Sequence, residues 1–150
     1  VLDPQIPLTM FINSPGGNCS DGFAMIDCMK TSRLKIQTVS TGCIASMGVL
    51  LAAAGTKGMR VMTKNTEVMA HQFSAFMFGK RHELVAQSVQ HARLEKQFIN
   101  FFKNNTKMTE KQIKEILFSP TDRWLTPQEC VKFGIVDQIS EYLVPESDIR

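Results

Sequence analysis

Lys35-Ile36-Gln37-Thr38-Val39-Ser40-Thr41-Gly42-Cys43-Ile44-Ala45-Ser46-Met47-Gly48-Val49-Leu50-Leu51-Ala52-Ala53-Ala54-Gly55 changes its period partway through. Lys35 to Thr41 predicts a strand in which Ile36 and Val39 are the β-branched anchors. Gly42 predicts a turn, and Ser46 to Ala54 predicts a compact apolar helix. Its small residues, Gly48 and Ala52 to Ala54, let another backbone approach closely, and Gly55 suits its C-terminal cap.

Working outward, Pro7 to Asn13 predicts a buried strand on Leu8, Met10, Phe11 and Ile12. Ser14-Pro15-Gly16-Gly17 ends it, since proline lacks a donor and glycine admits backbone angles closed to other residues. A helix from Ser20 to Lys30 follows, with Phe23, Ile26, Cys28 and Met29 turned inward. Short strands are expected at Met59 to Met62 and Glu67 to His71. Strand and helix in this alternation predict an α/β architecture with right-handed crossovers.

The second half differs. Phe73 to Phe78 predicts an extended segment, and Lys80 to Lys103 one long helix with Val85, Val89, Ala92, Ile99 and Phe102 in register. Leu94, Phe98 and Phe101 widen that stripe. A helix of this length runs ~36 Å, so its surplus apolar surface predicts a partner, most simply a second copy of the chain. Thr109-Glu110-Lys111-Gln112 and Thr126-Pro127-Gln128-Glu129 are capping boxes, the latter followed by Gly134. Ile135 to Ile139 predicts a last short strand. With no repeat or linker in view, residues 1–150 are expected to form a single domain.

The chain has 150 residues, 43% of them hydrophobic and 21% charged, enough to bury a core without staples. A net charge of +3 with scattered lysines and arginines argues against nucleic acid. Cys19, Cys28, Cys43 and Cys130 form no C-x-x-C pair and no ligand set with the histidines, so reduced thiols and no metal are expected. No stretch reads as a signal peptide, and Val49 to Ala54 is too short to span a bilayer. These features predict a cytoplasmic protein or one of an organelle matrix or stroma. Val1 in place of methionine leads to the expectation that an N-terminal segment was removed.

Chemistry concentrates at Ser46 and His71. A serine between small residues at a strand-to-helix junction can attack a carbonyl if an imidazole takes its proton. The amide that follows, Met47 N–H, lies in the first helical turn, where donors lack partners and the helix dipole is positive. The Gly16-Gly17 pair can supply a second donor for an oxyanion, and Asp122 can orient an imidazole. Each residue also has a plainer reading. Ser46 can be a helix cap, His71 a core histidine, Asp122 a loop carboxylate beside Arg123, and His82 and His91 surface residues.

Taken together, five segments in order carry a resemblance. They are Phe11 to Gly17, Ala45-Ser46-Met47-Gly48 with Ala52 to Gly55, Met69-Ala70-His71-Gln72, Asp122 to Leu125 with Glu129, and Gly134 to Asp137. Over nearly its whole length the chain resembles the proteolytic subunit of the ATP-dependent Clp protease (the ClpP family). The resemblance implies a crotonase-like ββα spiral with a protruding handle helix. It implies a serine endopeptidase that hydrolyses unfolded polypeptides, with Ser46 as nucleophile, His71 as base, Asp122 as its orienting acid, and Gly17 and Met47 as the oxyanion hole. It also implies homo-oligomers of stacked seven-membered rings fed by an AAA+ unfoldase. That partner uses the ATP, and this chain binds no cofactor.

Three features depart from the family pattern. The chain begins just before the Ser-Pro-Gly-Gly strand, where relatives carry further residues for gating and docking. Phe73-Ser74-Ala75-Phe76-Met77-Phe78-Gly79 replaces a proline and glycine-rich stretch, which predicts an altered cleavage preference. Cys43 and Ile44 add bulk just before Ser46 and are expected to narrow the pocket. Two other readings stand beside the peptidase. One is a non-catalytic structural subunit of such rings, and the other a crotonase-like enzyme acting on acyl-CoA, in which Ser46, His71 and Asp122 have no required task.

Overall fold

In the computed structural model, residues 6–74 and 77–140 are described. The strand read from Lys35 does not stop at Gly42. It runs as one strand, β2, from Ile36 to Ala45, passing Gly42 at φ 62. Gly42 packs on the Asn13 side chain, whose Oδ1 accepts the Cys43 amide at 3.1 Å. That side chain takes up a backbone donor that the bend releases from the ladder, so a glycine expected to end the strand only bends it.

β2 is the axis of a six-stranded sheet. Leu8–Ser14 (β1) pairs with it in parallel along one side, with a register shift between Ile12 and Ser14. On the other side the first part of β2 pairs with Arg60–Met62 (β3) and the last part with Glu67–Ala70 (β4), both parallel. Arg123–Leu125 (β5) adds to β4 antiparallel, and Gln138–Ile139 (β6) adds to β3 in parallel. Because β3 and β4 follow one another along the same edge of β2, the sheet curls as it is built. The result is a mixed α/β architecture built on a curled sheet.

β1 is not the buried strand its composition suggested. Ile12 is buried, but Leu8 and Phe11 are 42% and 60% exposed, because β1 pairs with one strand only and lies at the sheet edge. Helix α1 (Cys19–Thr31) starts on Asn18, whose Oδ1 accepts the Ser20 amide at 2.8 Å. It turns Gly22 and Ile26 inward, while Cys28 is exposed rather than inner. Helix α2 (Met47–Ala54) is buried over nearly its whole length. Gly48 lies where a Cβ would stand 3.0 Å from the Ser14 carbonyl oxygen, so α2 rests directly on β1. Gly55 has φ −57 and is not a left-handed cap. It is small because a Cβ there would meet Thr38 Oγ1 at 2.5 Å.

The long helix α3 runs Arg81–Asn105, two residues beyond the expected end. Only its C-terminal part is held, through buried Phe98, Ile99, Phe101 and Phe102. Val85 and Val89 remain 58% and 51% exposed, so the first turns project from the body as a handle. Thr109 caps Glu110–Gln112 (α4), which continues as one wide turn over Ile113–Leu117. Thr126 caps Pro127–Phe133 (α5), closed by Gly134 at φ 72. The extended segment expected over 73–78 includes residues 75 and 76, outside the described residues, and the residues on either side of them form no strand. The strand expected from Ile135 is confined to Gln138–Ile139. Among the described residues, no helix is long and apolar enough to cross a membrane.

An ion pair that the sequence did not reveal joins these parts. Arg60 donates through Nε to Asp137 Oδ2 at 2.9 Å and through Nη2 to Oδ1 at 2.5 Å. Its Nη1 donates to the Asn105 carbonyl at 2.6 Å, at the end of α3. Asp137 Oδ2 also accepts the Gly58 and Arg60 amides. Burial pushes the Asp137 carboxyl up, but the Arg60 guanidinium and these amides outweigh it and hold the group below its ordinary value. Since its folded value lies below its unfolded one, the pair's contribution is complete above about pH 4. It is lost as the pH falls through the folded value. Asp137→Asn is expected to cost about 3 kcal/mol, the lower end for breaking a buried pair because Asp137 keeps 23% of its side chain exposed. Urea titrations at pH 7 and pH 3 check this: the gap between the two proteins should be wider at pH 7 than at pH 3.

Candidate active site

Sheet register places the serine, the histidine and the aspartate. Ala45 pairs with Met69 across the parallel β2–β4 ladder, and the Ser46 amide donates to the Met69 carbonyl at 2.9 Å. Ser46 therefore comes level with Ala70, one residue before His71. Ala70 pairs with Arg123 as the last pair of the antiparallel β4–β5 ladder, which leaves His71 and Asp122 as the next residues beyond it on the two segments. There the register breaks: the Gln72 amide reaches the Ser119 carbonyl at 3.1 Å rather than Thr121. Three residues far apart in the chain thus end at one corner of the sheet.

Ser46 is the described non-glycine residue with positive φ, at φ 52 and ψ −119. This sparsely populated conformation costs on the order of 1–3 kcal/mol and persists only where surroundings enforce it. It turns the chain sharply from β2 into α2. The Ser46 side chain makes no capping hydrogen bond, so the helix-cap reading of this serine fails. Instead Ser46 and His71 line one small apolar cavity together with Phe73, Phe98, Phe102 and Phe118. Cys43 and Ile44, expected to narrow this cavity, do not line it. Ile44 is fully buried with its Cγ2 toward Gly48, and aromatic rings do the narrowing.

The glycines divide two tasks. A Cβ on Gly16 would stand 2.6 Å from Ser46 Cβ and 3.0 Å from the Ala45 carbonyl oxygen, so Gly16 is the residue pressed against the turn. Gly17 faces open space, with nothing within 4 Å of a Cβ built there. It borders a neighbouring cleft with Asn18, Cys19 and Ser74. Cys19 lines both cavity and cleft, and burial pushes its thiol up. Met47 buries its side chain over Gly22 of α1 and occupies the first position of α2. Its amide lies one peptide past the Ser46 side chain, among the free donors of a helix start.

Asp122 is exposed, on a loop shaped by Ser119, whose Oγ accepts the Thr121 amide at 3.3 Å. Ser119 is buried, a role for which its own sequence context carries no signal. Among the described residues no hydrogen bond links Ser46 Oγ, the His71 ring and Asp122, and no ion pair joins Asp122 to Arg123. His82 is exposed, as expected. His91 is instead half-buried, edge-on to Phe73 with centroids 5.9 Å apart.

The packing of Gly16 has a measurable consequence. Gly16→Ala is expected to cost about 2 kcal/mol, from its φ of 103 and from the clash with Ser46. The variant should also slow fluorophosphonate labelling of Ser46 at least about tenfold in its folded fraction, because relief of the clash rotates the serine turn. Denaturant unfolding and labelling kinetics under native conditions check both parts.

The chain is similar to known proteins over most of its length. The Clp protease family model matches residues 1–142. ATP-dependent Clp protease proteolytic subunit 2 of Corynebacterium diphtheriae is 36% identical over 139 residues, covering 93% of this chain and 69% of that protein. Proteolytic subunit 1 of Corynebacterium jeikeium is 36% identical over 137 residues, covering 91% and 72%. Subunit 2 of Rhodococcus jostii is 34% identical over 137 residues, covering 91% and 69%. The chain belongs to the Clp protease family, as a proteolytic subunit of serine-peptidase type.

Proposed function

We propose that Ser46, His71 and Asp122 are the catalytic triad of this subunit and that Gly17 and Met47 supply its oxyanion hole. The observation that carries the reading is the paired register, Ala45 to Met69 and Ala70 to Arg123, which converges these residues on one sheet corner. His71 removes the Ser46 hydroxyl proton as Oγ attacks the carbonyl carbon of a peptide bond. Charge on the tetrahedral oxygen is met by the Met47 amide at the start of α2 and by the Gly17 amide. Collapse breaks the C–N bond, and His71 returns the proton to the departing amine. Water, deprotonated by the same imidazole, then releases the acyl group from Ser46. Asp122 holds the ring orientation through this cycle. No step calls on a metal or a bound nucleotide. Hydrogen bonds of such a site tighten when substrate arrives, which accommodates their absence in the free chain.

The same proposal extends to assembly. The projecting turns of α3 carry exposed Leu84, Val85 and Val89, with Phe78 at 82% exposure just before them. An apolar handle of this kind is satisfied by the handle of a second copy, which fits a homo-oligomer of stacked seven-membered rings. Unfolded polypeptide delivered by an AAA+ unfoldase is the substrate, with ATP spent by that partner, in the cytoplasm or an organelle matrix.

Intact-mass spectrometry after incubation with a fluorophosphonate tests the nucleophile. One adduct on the wild-type chain and none on Ser46→Ala is the expected result. No adduct on the wild-type chain removes the assignment and leaves a structural subunit. Ser46→Ala should lower peptide hydrolysis at least about 1,000-fold while leaving the oligomer's sedimentation unchanged, since triad members act as a unit.

A further inference from the structure

We infer that Phe73 is a specificity-determining residue that restricts this peptidase to cleavage after small side chains, an inference that rests on Ser46 being the nucleophile. The scissile carbonyl carbon must lie within reach of Ser46 Oγ, and the α-carbon of the same residue is one bond away. Its side chain therefore enters the apolar cavity that Ser46 and His71 both line. That cavity holds about 30 Å³, room on the order of two water-sized groups. An alanine methyl fits. A leucine or phenylalanine side chain fits only if a wall moves.

The wall is rigid for a physical reason. The Phe73 ring stacks on Phe98 at 5.7 Å with the planes 10° apart. It meets Phe118 edge-on at 6.3 Å and His91 edge-on at 5.9 Å. Phe98 is itself buried and packs edge-on against Phe118 at 5.7 Å and Phe23 at 5.1 Å. Phe73 is thus gripped by rings from α3 and from the end of the wide turn after α4, and opening the cavity would break several aromatic contacts together. Phe73 arrives two residues after His71 on irregular chain, so its ring is delivered to the site by the same ladder that positions the imidazole.

The test uses the oligomeric protein and N-blocked tripeptidyl aminocoumarins ending in Ala, Leu or Phe. The wild type is expected to favour Ala over Phe at least about tenfold in kcat/KM, the order of discrimination a filled apolar pocket gives. Phe73→Ala should raise the Phe-to-Ala ratio at least about tenfold. Phe73→Leu, which keeps more packing, should move the ratio the same way by a smaller factor. Equal wild-type rates after Ala and Phe, or a ratio unmoved in a folded variant, overturns the role of Phe73. Fluorophosphonate labelling of each protein separates the two levels of the argument. Labelled Ser46 with an unmoved ratio rejects the pocket alone, and an unlabelled wild type rejects the nucleophile and the pocket with it.

Discussion

Strand β2 is the constraint on which the molecule depends. It is hydrogen-bonded along both sides, to β1 on one and to β3 and then β4 on the other. A parallel strand paired along both sides and buried on both faces has no freedom to slip, because a shift of one residue would exchange the faces on which all its side chains pack. Fixing β2 therefore fixes where Ala45 ends, and with it the turn at Ser46. The strain of that turn is held by close backbone contacts that only glycine permits, Gly16 against Ser46 and Gly48 against the Ser14 carbonyl. The position of Ser46 is inherited from the register of a strand that begins ten residues earlier.

The Arg60–Asp137 pair performs a complementary task. It ties β3 to the residue just before β6, and through the Asn105 carbonyl it anchors the end of the handle helix. A buried pair offers little net stability over apolar packing, but every donor and acceptor around it is directional. Through it the last carbonyl of α3 is held to the body. The first turns of α3 carry exposed Val85 and Val89 and project into solvent.

Around Ser46 the same elements serve both the core and the cavity. Phe98 is a core residue of α3, yet it also lines the cavity beside the serine. Phe73 stacks on it and adds a second aromatic wall.

Much of this was legible in the chain. The strand leading into an apolar helix, both capping boxes and the long helix rest on local signals, period, cap chemistry and residue type, whereas Ser46, His71, Asp122, Gly17 and Met47 become candidates only together, through the resemblance. Burial of β1 was misread because composition cannot say whether a strand has one neighbour or two. Gly42 and Gly55 were assigned turn and cap roles, yet one bends a continuing strand and the other yields space to Thr38, which depends on contacts from distant segments. Arg60 with Asp137, Ser119 behind the Asp122 loop, and Phe73 on Phe98 are likewise pairings across long separations. Local sequence encodes which backbone angles and periods are cheap. Which side chains meet is fixed only when the sheet register closes, because that register alone converts separations along the chain into ångströms.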